Sequence, residues 1–174
     1  MSIISKKVCL VGDFGVGKTS LIRRFVDRQF SDQYLSTVGV KISRKTVEVL
    51  AEKQAVQLLI WDLEGHTKFK AIAPTYLKGG SGAVIVADVT RTETIERIPE
   101  HIKLFLSVNP KSSIVVALNK SDLIDEEKFA KLLQIVQLQC EDKVSQVYPS
   151  SAKTGLSVDE IFYELALKSI QQTV

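Results

Sequence analysis

The sequence predicts an α/β fold: a six-stranded mixed sheet, five strands parallel and one antiparallel, with helices on both faces. Three observations lead there. Continuous apolar runs recur at residues 8–11, 83–87 and 114–118, the pattern of parallel strands covered on both sides. Segments of helical period alternate with these runs, as strand–helix–strand units require. Between the first run and the first helical segment lies Gly12-Asp13-Phe14-Gly15-Val16-Gly17-Lys18-Thr19. It matches G-x-x-x-x-G-K-[ST], a phosphate-binding loop.

The elements follow in order. Residues 8–11 form a strand that feeds the loop, and Leu21, Ile22, Phe25 and Val26 behind it keep helical spacing. A phosphate in the loop therefore faces a helix N-terminus. Residues 41–50 mix Ile42, Val47 and Val49 with charged and hydroxyl side chains, which suits a half-exposed edge strand. A short polar turn at 51–54 then makes a hairpin with 56–61. Pro99 suits the first turn of a helix over 99–108. Asp125, Glu126 and Glu127 favour a helix N-terminus, and Phe129, Leu132, Leu133, Val136 and Cys140 follow one face of that helix. Residues 145–150 form the last strand. Ser157 with Glu160 reads as a capping box, with Val158, Ile161, Phe162, Leu165 and Ile170 as the buried stripe behind it.

Composition sets the bounds. The 174 residues predict one domain, 1–174, large enough for a single core. With 45% apolar and 25% charged residues the chain has a soluble globular composition. A net charge of +3 with mixed signs gives no reason to expect nucleic acid as a partner. Cys9 and Cys140, both in apolar surroundings, read as reduced core thiols, which predicts a cytoplasmic setting. No run is long enough to span a bilayer, and no signal peptide or lipidation motif is written in these residues. Membrane association therefore requires a lipidated tail outside this sequence.

The chemistry collects after the strands. Glycines let the loop's N–H groups approach phosphate oxygens, Lys18 reaches the β- and γ-phosphates, and the Thr19 hydroxyl can hold Mg²⁺. Asp62 follows the third strand in Trp61-Asp62-Leu63-Glu64-Gly65-His66. A carboxylate at a buried strand end needs a cation or hydrogen bonds, and Mg²⁺ supplies one. Gly65, lacking a Cβ, can bring its N–H to a γ-phosphate. Asn119-Lys120-Ser121-Asp122 follows the fifth strand and Ser151-Ala152-Lys153 the sixth. The Asp122 carboxylate offers two acceptors that match the N1–H and exocyclic amine of guanine, which adenine lacks. A site built on such pairing rejects the analogue by about 10⁴–10⁵-fold.

In the order and spacing of these motifs the chain resembles the small GTPases of the Ras superfamily, nearest to the Rab branch, over about residues 5–172. Tyr34-Leu35-Ser36-Thr37-Val38-Gly39-Val40, Lys45-Thr46-Val47-Glu48-Val49 and Asp88-Val89-Thr90 carry the Rab-like part of the likeness. The resemblance implies a P-loop G domain that binds GTP and GDP with Mg²⁺ and hydrolyses GTP. It implies nucleotide contacts along residues 12–20, including Val16 and Ser20. Phe30 would stack on the base, Tyr34 would close over the phosphates, and Thr37 would join Thr19 and Asp62 around the metal. Lys120 would lie along the base, Asn119 would tie the loops together, and the Ala152 N–H would meet the guanine oxygen between Ser151 and Lys153. Lys18, Thr37, Gly65 and His66 are the catalytic candidates. Residues 34–40 and 62–78 would be switches read by effectors, exchange factors and activating proteins, on a monomer.

Two residues depart from the family pattern. His66 stands where most members have the Gln that orients the attacking water. It either does so through a ring nitrogen, as in the similar D-x-x-G-H arrangement of translational GTPases, or points to solvent. Phe14 stands where a small residue is usual, close to the γ-phosphate. It either crowds the water-positioning side chain and an incoming arginine finger, or folds outward. Slow intrinsic hydrolysis is the expectation. A GTP-binding interaction module with negligible turnover is the alternative, and the Asn119–Asp122 motif argues against a P-loop ATPase or kinase.

Overall fold

The computed structural model describes residues 2–33, 37, 39–63, 65 and 72–172. Six strands form one sheet: β1 (Ser2–Gly12), β2 (Val40–Val49), β3 (Gln54–Leu63), β4 (Gly82–Asp88), β5 (Ser113–Asn119) and β6 (Gln146–Pro149), in the order β2-β3-β1-β4-β5-β6. Among the described residues only the β2–β3 pair is antiparallel, running from Val40 opposite Leu63 to Val49 opposite Gln54. β1, β3, β4, β5 and β6 are parallel neighbours. The predicted sheet is thus the observed one.

β1 is longer than its apolar run, because Ser2–Lys7 pairs residue by residue with Gln54–Leu59. Backbone pairing does not need apolar side chains, so periodicity alone undercounts it. The hairpin turn is a short 3₁₀ segment, Leu50–Glu52, closed by Lys53 in the left-handed region.

Each buried strand feeds two cores, as the period of two demands. Val8, Leu10, Val84, Val86, Val115 and Ala117 face helices α1 (Lys18–Asp27) and α6 (Val158–Gln171). Cys9, Val11, Ala83, Ile85, Val116 and Leu118 face α4 (Ile98–Val108) and α5 (Glu126–Cys140). Two short helices, α2 (Pro74–Leu77) and α3 (Thr92–Glu96), complete the second layer. Phe25 of α1 stacks on Phe162 of α6 with centroids 4.1 Å apart and planes at 12°. Both cysteines are free and buried. Burial pushes each thiol up to about 11, against a smaller opposing pull from Lys7 at Cys9.

The helix signals divide. Asp125 caps α5 as expected, accepting the Lys128 N–H at 2.8 Å, and Pro99 sits in the first turn of α4. The capping box at Ser157 does not form. Ser157 adopts φ 58° and makes no side-chain cap bond. A capping hydroxyl needs an extended backbone to swing back over the first turn, and the left-handed turn removes that geometry. Asp159 instead reaches Arg28 at 2.7 Å. Among the described residues, no helix is long and apolar enough to cross a membrane.

Candidate nucleotide site

The parallel strands end on one edge, and their loops surround a cleft of about 290 Å³. Open α/β sheets bind ligands at this edge. The loop after β1 supplies Phe14, Gly15, Gly17, Lys18, Thr19 and Ser20; Gly65 follows β3, Asn119, Lys120 and Asp122 follow β5, and Ser151, Ala152 and Lys153 follow β6. Phe30 and Thr37 close the outer side. Tyr34 and His66 lie outside the described residues. Gly12, Asp13 and Val16 are buried behind the cleft wall.

The loop's shape rests on close backbone approaches. Gly17 turns at φ 104°, and a Cβ there would run into the Asn119 amide. At Gly12 a Cβ would strike the Val86 carbonyl. α1 begins directly after Gly17 with no acidic residue in its first turn, so its N-terminal N–H groups and dipole stay open to an anion. Lys18 is 6% exposed. Its ammonium donates to the carbonyls of Asp13 at 2.9 Å and Gly12 at 3.3 Å. Burial lowers its pKa to about 8, with Asp62 and Asp13 pulling the other way. The loop thus carries a partly desolvated cation that an oligophosphate would satisfy.

Thr19, Thr37 and Asp62 converge beside it. The two hydroxyls are 2.6 Å apart; Thr19 donates to Asp62 Oδ2 at 2.6 Å and Thr37 at 3.2 Å. The other oxygen, Asp62 Oδ1, is buried with no hydrogen-bond partner. Burial raises the Asp62 pKa, opposed by the Thr19 hydroxyl and by Lys18. An orphaned carboxylate oxygen next to two hydroxyls fits a hard cation that takes its remaining ligands from phosphate and water.

The loops after β5 and β6 line the other end of the cleft. Asn119 donates to the Val16 carbonyl at 2.9 Å and accepts from Ser150 at 3.2 Å. Lys120, in the left-handed region at φ 62°, reaches the Gly15 carbonyl at 3.0 Å and the Asp88 carboxylate at 2.9 Å. Burial would raise the Asp88 pKa, but the Thr90 hydroxyl and Lys120 outweigh it and hold the carboxyl below its ordinary value. Ser151 donates to Asp122 Oδ1 at 2.8 Å and fixes that exposed carboxylate. Ala152 is buried between them.

Phe14 is 41% exposed yet lines the cleft. Gly65 packs against the same peptide, where a Cβ would lie 2.6 Å from the Phe14 Cα. Ser31, Asp32, Gln33 and Leu123 also line the cleft and were not expected from the motifs; nothing in their local pattern marks them. Asp88 behaves similarly, since its tie to Lys120 bridges 32 residues that no short motif spans.

Comparison with known proteins agrees with this geometry. The model of the Ras family matches residues 7–171. The human Ras-related protein Rab-22A is 33% identical over 171 residues, covering 95% of this chain and 84% of its own length. The Ras-related protein Rab5 of Nicotiana tabacum is 36% identical over 164 residues, 94% of this chain and 80% of its own. RABF2b of Arabidopsis thaliana is 36% identical over 173 residues, 98% and 84% respectively. With a glycine-rich loop, a carboxylate bonded by two hydroxyls and the Asn119–Asp122 segment on one sheet edge, and with this match along its length, the chain belongs to the Ras family as a Rab-like small GTPase, a GTP-binding switch that hydrolyses GTP.

Proposed function

We propose that the cleft holds a guanosine di- or triphosphate with its phosphates on residues 12–20 and its base between Phe30, Lys120 and Ala152. The observation that carries this is the convergence of Lys18, the Thr19–Thr37–Asp62 cluster and the Ser151-held Asp122 around one cavity. Thr19, Thr37 and Asp62 would hold Mg²⁺, which when bound neutralises charge on the β- and γ-phosphates. Lys18 would stabilise the γ-phosphoryl oxygens as water attacks in line, and the Gly65 N–H could reach the same group. His66 orients the water. The γ-phosphate would order residues 34–40 and 62–78, and loss of it would release them to a different set of partners. Effectors, exchange factors and activating proteins would read that difference on a monomer in the cytoplasm, a compartment that suits two free thiols.

Hydrolysis without a partner is slow in this reading, because Phe14 lines the cleft and a phenyl ring there would crowd a water-positioning group. The same observation supports the second reading, a GTP-dependent interaction module with negligible turnover. Nucleotide retained by the purified protein, followed by single-turnover phosphate release, tests both. Retained nucleotide should be guanine, and His66→Gln and Phe14→Ser should each release phosphate faster than wild type. A wild-type rate at or above both variants would remove the slow-turnover reading, and no saturable uptake of guanine nucleotide would remove the site.

A further inference from the structure

The Asp13 side chain does not enter the cleft. It is 2% exposed and reaches the start of α4. Its Oδ1 lies 2.9 Å from His101 Nε2, and its Oδ2 accepts from Arg97 Nη1 at 3.0 Å. Arg97 and His101 are one helical turn apart, with the His101 N–H bonded to the Arg97 carbonyl at 3.1 Å. That spacing places both side chains on one helix face. Arg97 is the N-cap residue of α4, and His101 follows within the helix. Ile98, Ile102 and Phe105 bury the helix in the second core, so its first turn is a fixed anchor.

The main chain of Asp13 meets the cation of the phosphate loop. Its carbonyl accepts the Lys18 ammonium at 2.9 Å. One residue on, the Phe14 carbonyl accepts Arg91 Nη1 at 2.8 Å, from the turn that leads into α3. The two loop peptides behind Lys18 are therefore held from outside, one through a buried charge cluster and one through a guanidinium. We propose that Asp13, Arg97 and His101 form a positioning clamp that sets the carbonyl to which Lys18 is aimed, and thereby how long the phosphates stay bound. None of the three touches the reacting atoms. The clamp rests on the assignment of the phosphates to residues 12–20, and saturable guanine-nucleotide uptake by the wild-type protein checks that assignment separately.

Replacing His101 takes one polar partner from the buried Asp13 carboxylate and loosens its hold on the loop. The test is release of fluorescent GDP and GTP, in Mg²⁺, from wild type, His101→Leu and His101→Gln. His101→Leu should release both nucleotides about tenfold faster or more. His101→Gln keeps an N–H donor and should return release close to the wild-type rate. The preference for GTP over ITP, read by Asp122 at the far end of the cleft, should stay the same in all three. A general loosening of the fold would erode that preference together with retention. The clamp is overturned if His101→Leu releases at the wild-type rate, if His101→Gln releases as fast as His101→Leu, or if the GTP preference falls in step with release. Should His101→Leu fail to fold, Arg97→Met carries the same expectation from the half-exposed side of the cluster.

Discussion

The Asn119 amide donates to the Val16 carbonyl at 2.9 Å, so the segment proposed to read the base is pinned to the loop proposed to hold the phosphates. Asn119 also accepts from Ser150, which brings the third loop into the same knot. Asn119→Ala breaks both bonds and leaves a buried carbonyl and hydroxyl without this partner. Net losses of about 1 kcal/mol per bond predict GDP release about tenfold to a hundredfold faster. Nucleotide-exchange kinetics measure it, and wild-type release from the variant would show that the knot is idle.

Ser151 accepts the Thr154 N–H at 3.1 Å and donates to Asp122. Its hydroxyl holds one carboxylate oxygen at 2.8 Å and leaves the other for the proposed base. Ser151→Ala frees the carboxylate to rotate while keeping its charge. The GTP-over-ITP preference should fall about fivefold, the size of one hydrogen bond of about 1 kcal/mol. Competition binding reads the ratio directly.

Gly65 meets the Phe14 backbone so closely that an added Cβ would sit 2.6 Å from Cα and 2.7 Å from N. Gly65→Ala must push the segment after β3 off the phosphate loop. Overpacking of this kind costs about 1–3 kcal/mol. Turnover and GTP affinity should drop about tenfold or more while GDP, which lacks the γ-phosphate, is affected less. Equal losses for the two nucleotides would place the fault elsewhere.

Asp88 supplies a pH dependence. Its carboxyl is held below the ordinary value by Thr90 and Lys120 against the effect of burial, so the folded state favours the ionised form. The stability it contributes is present above the unfolded carboxyl pKa of about 3.9. It is lost as pH falls from there through the lower folded value. Asp88→Asn should therefore lower the melting temperature at neutral pH and flatten the acid limb of the stability curve. Parallel curves for the two proteins below pH 5 would contradict the assignment.

The sheet and the loop motifs were legible because their signals are local. The runs at 8–11, 83–87 and 114–118 are apolar on both sides because both sides of their strands are covered. β2 mixes polar and apolar residues because it lies at the sheet edge. Lys18, Thr19, Asp62, Asn119 and Asp122 stand in motifs whose order along the chain is itself the information. What the sequence hid was either conformational or distant. Ser157 and Glu160 have the spacing of a cap, but φ 58° at Ser157 is set by the turn from Gly155 and not by the pair. His101 reaches Asp13 across 88 positions, and no periodicity joins a helix face to a loop so far away. α3 is five residues long, too short to declare a period.

The stacked rings of Phe25 and Phe162 have a consequence for synthesis. The first helix takes its footing from the last one, and Ser150 and Ser151 also come late. A ribosome must therefore have passed residue 162 before the motif near the beginning has its full footing. Prematurely terminated fragments would carry the signature of a nucleotide binder without its grasp.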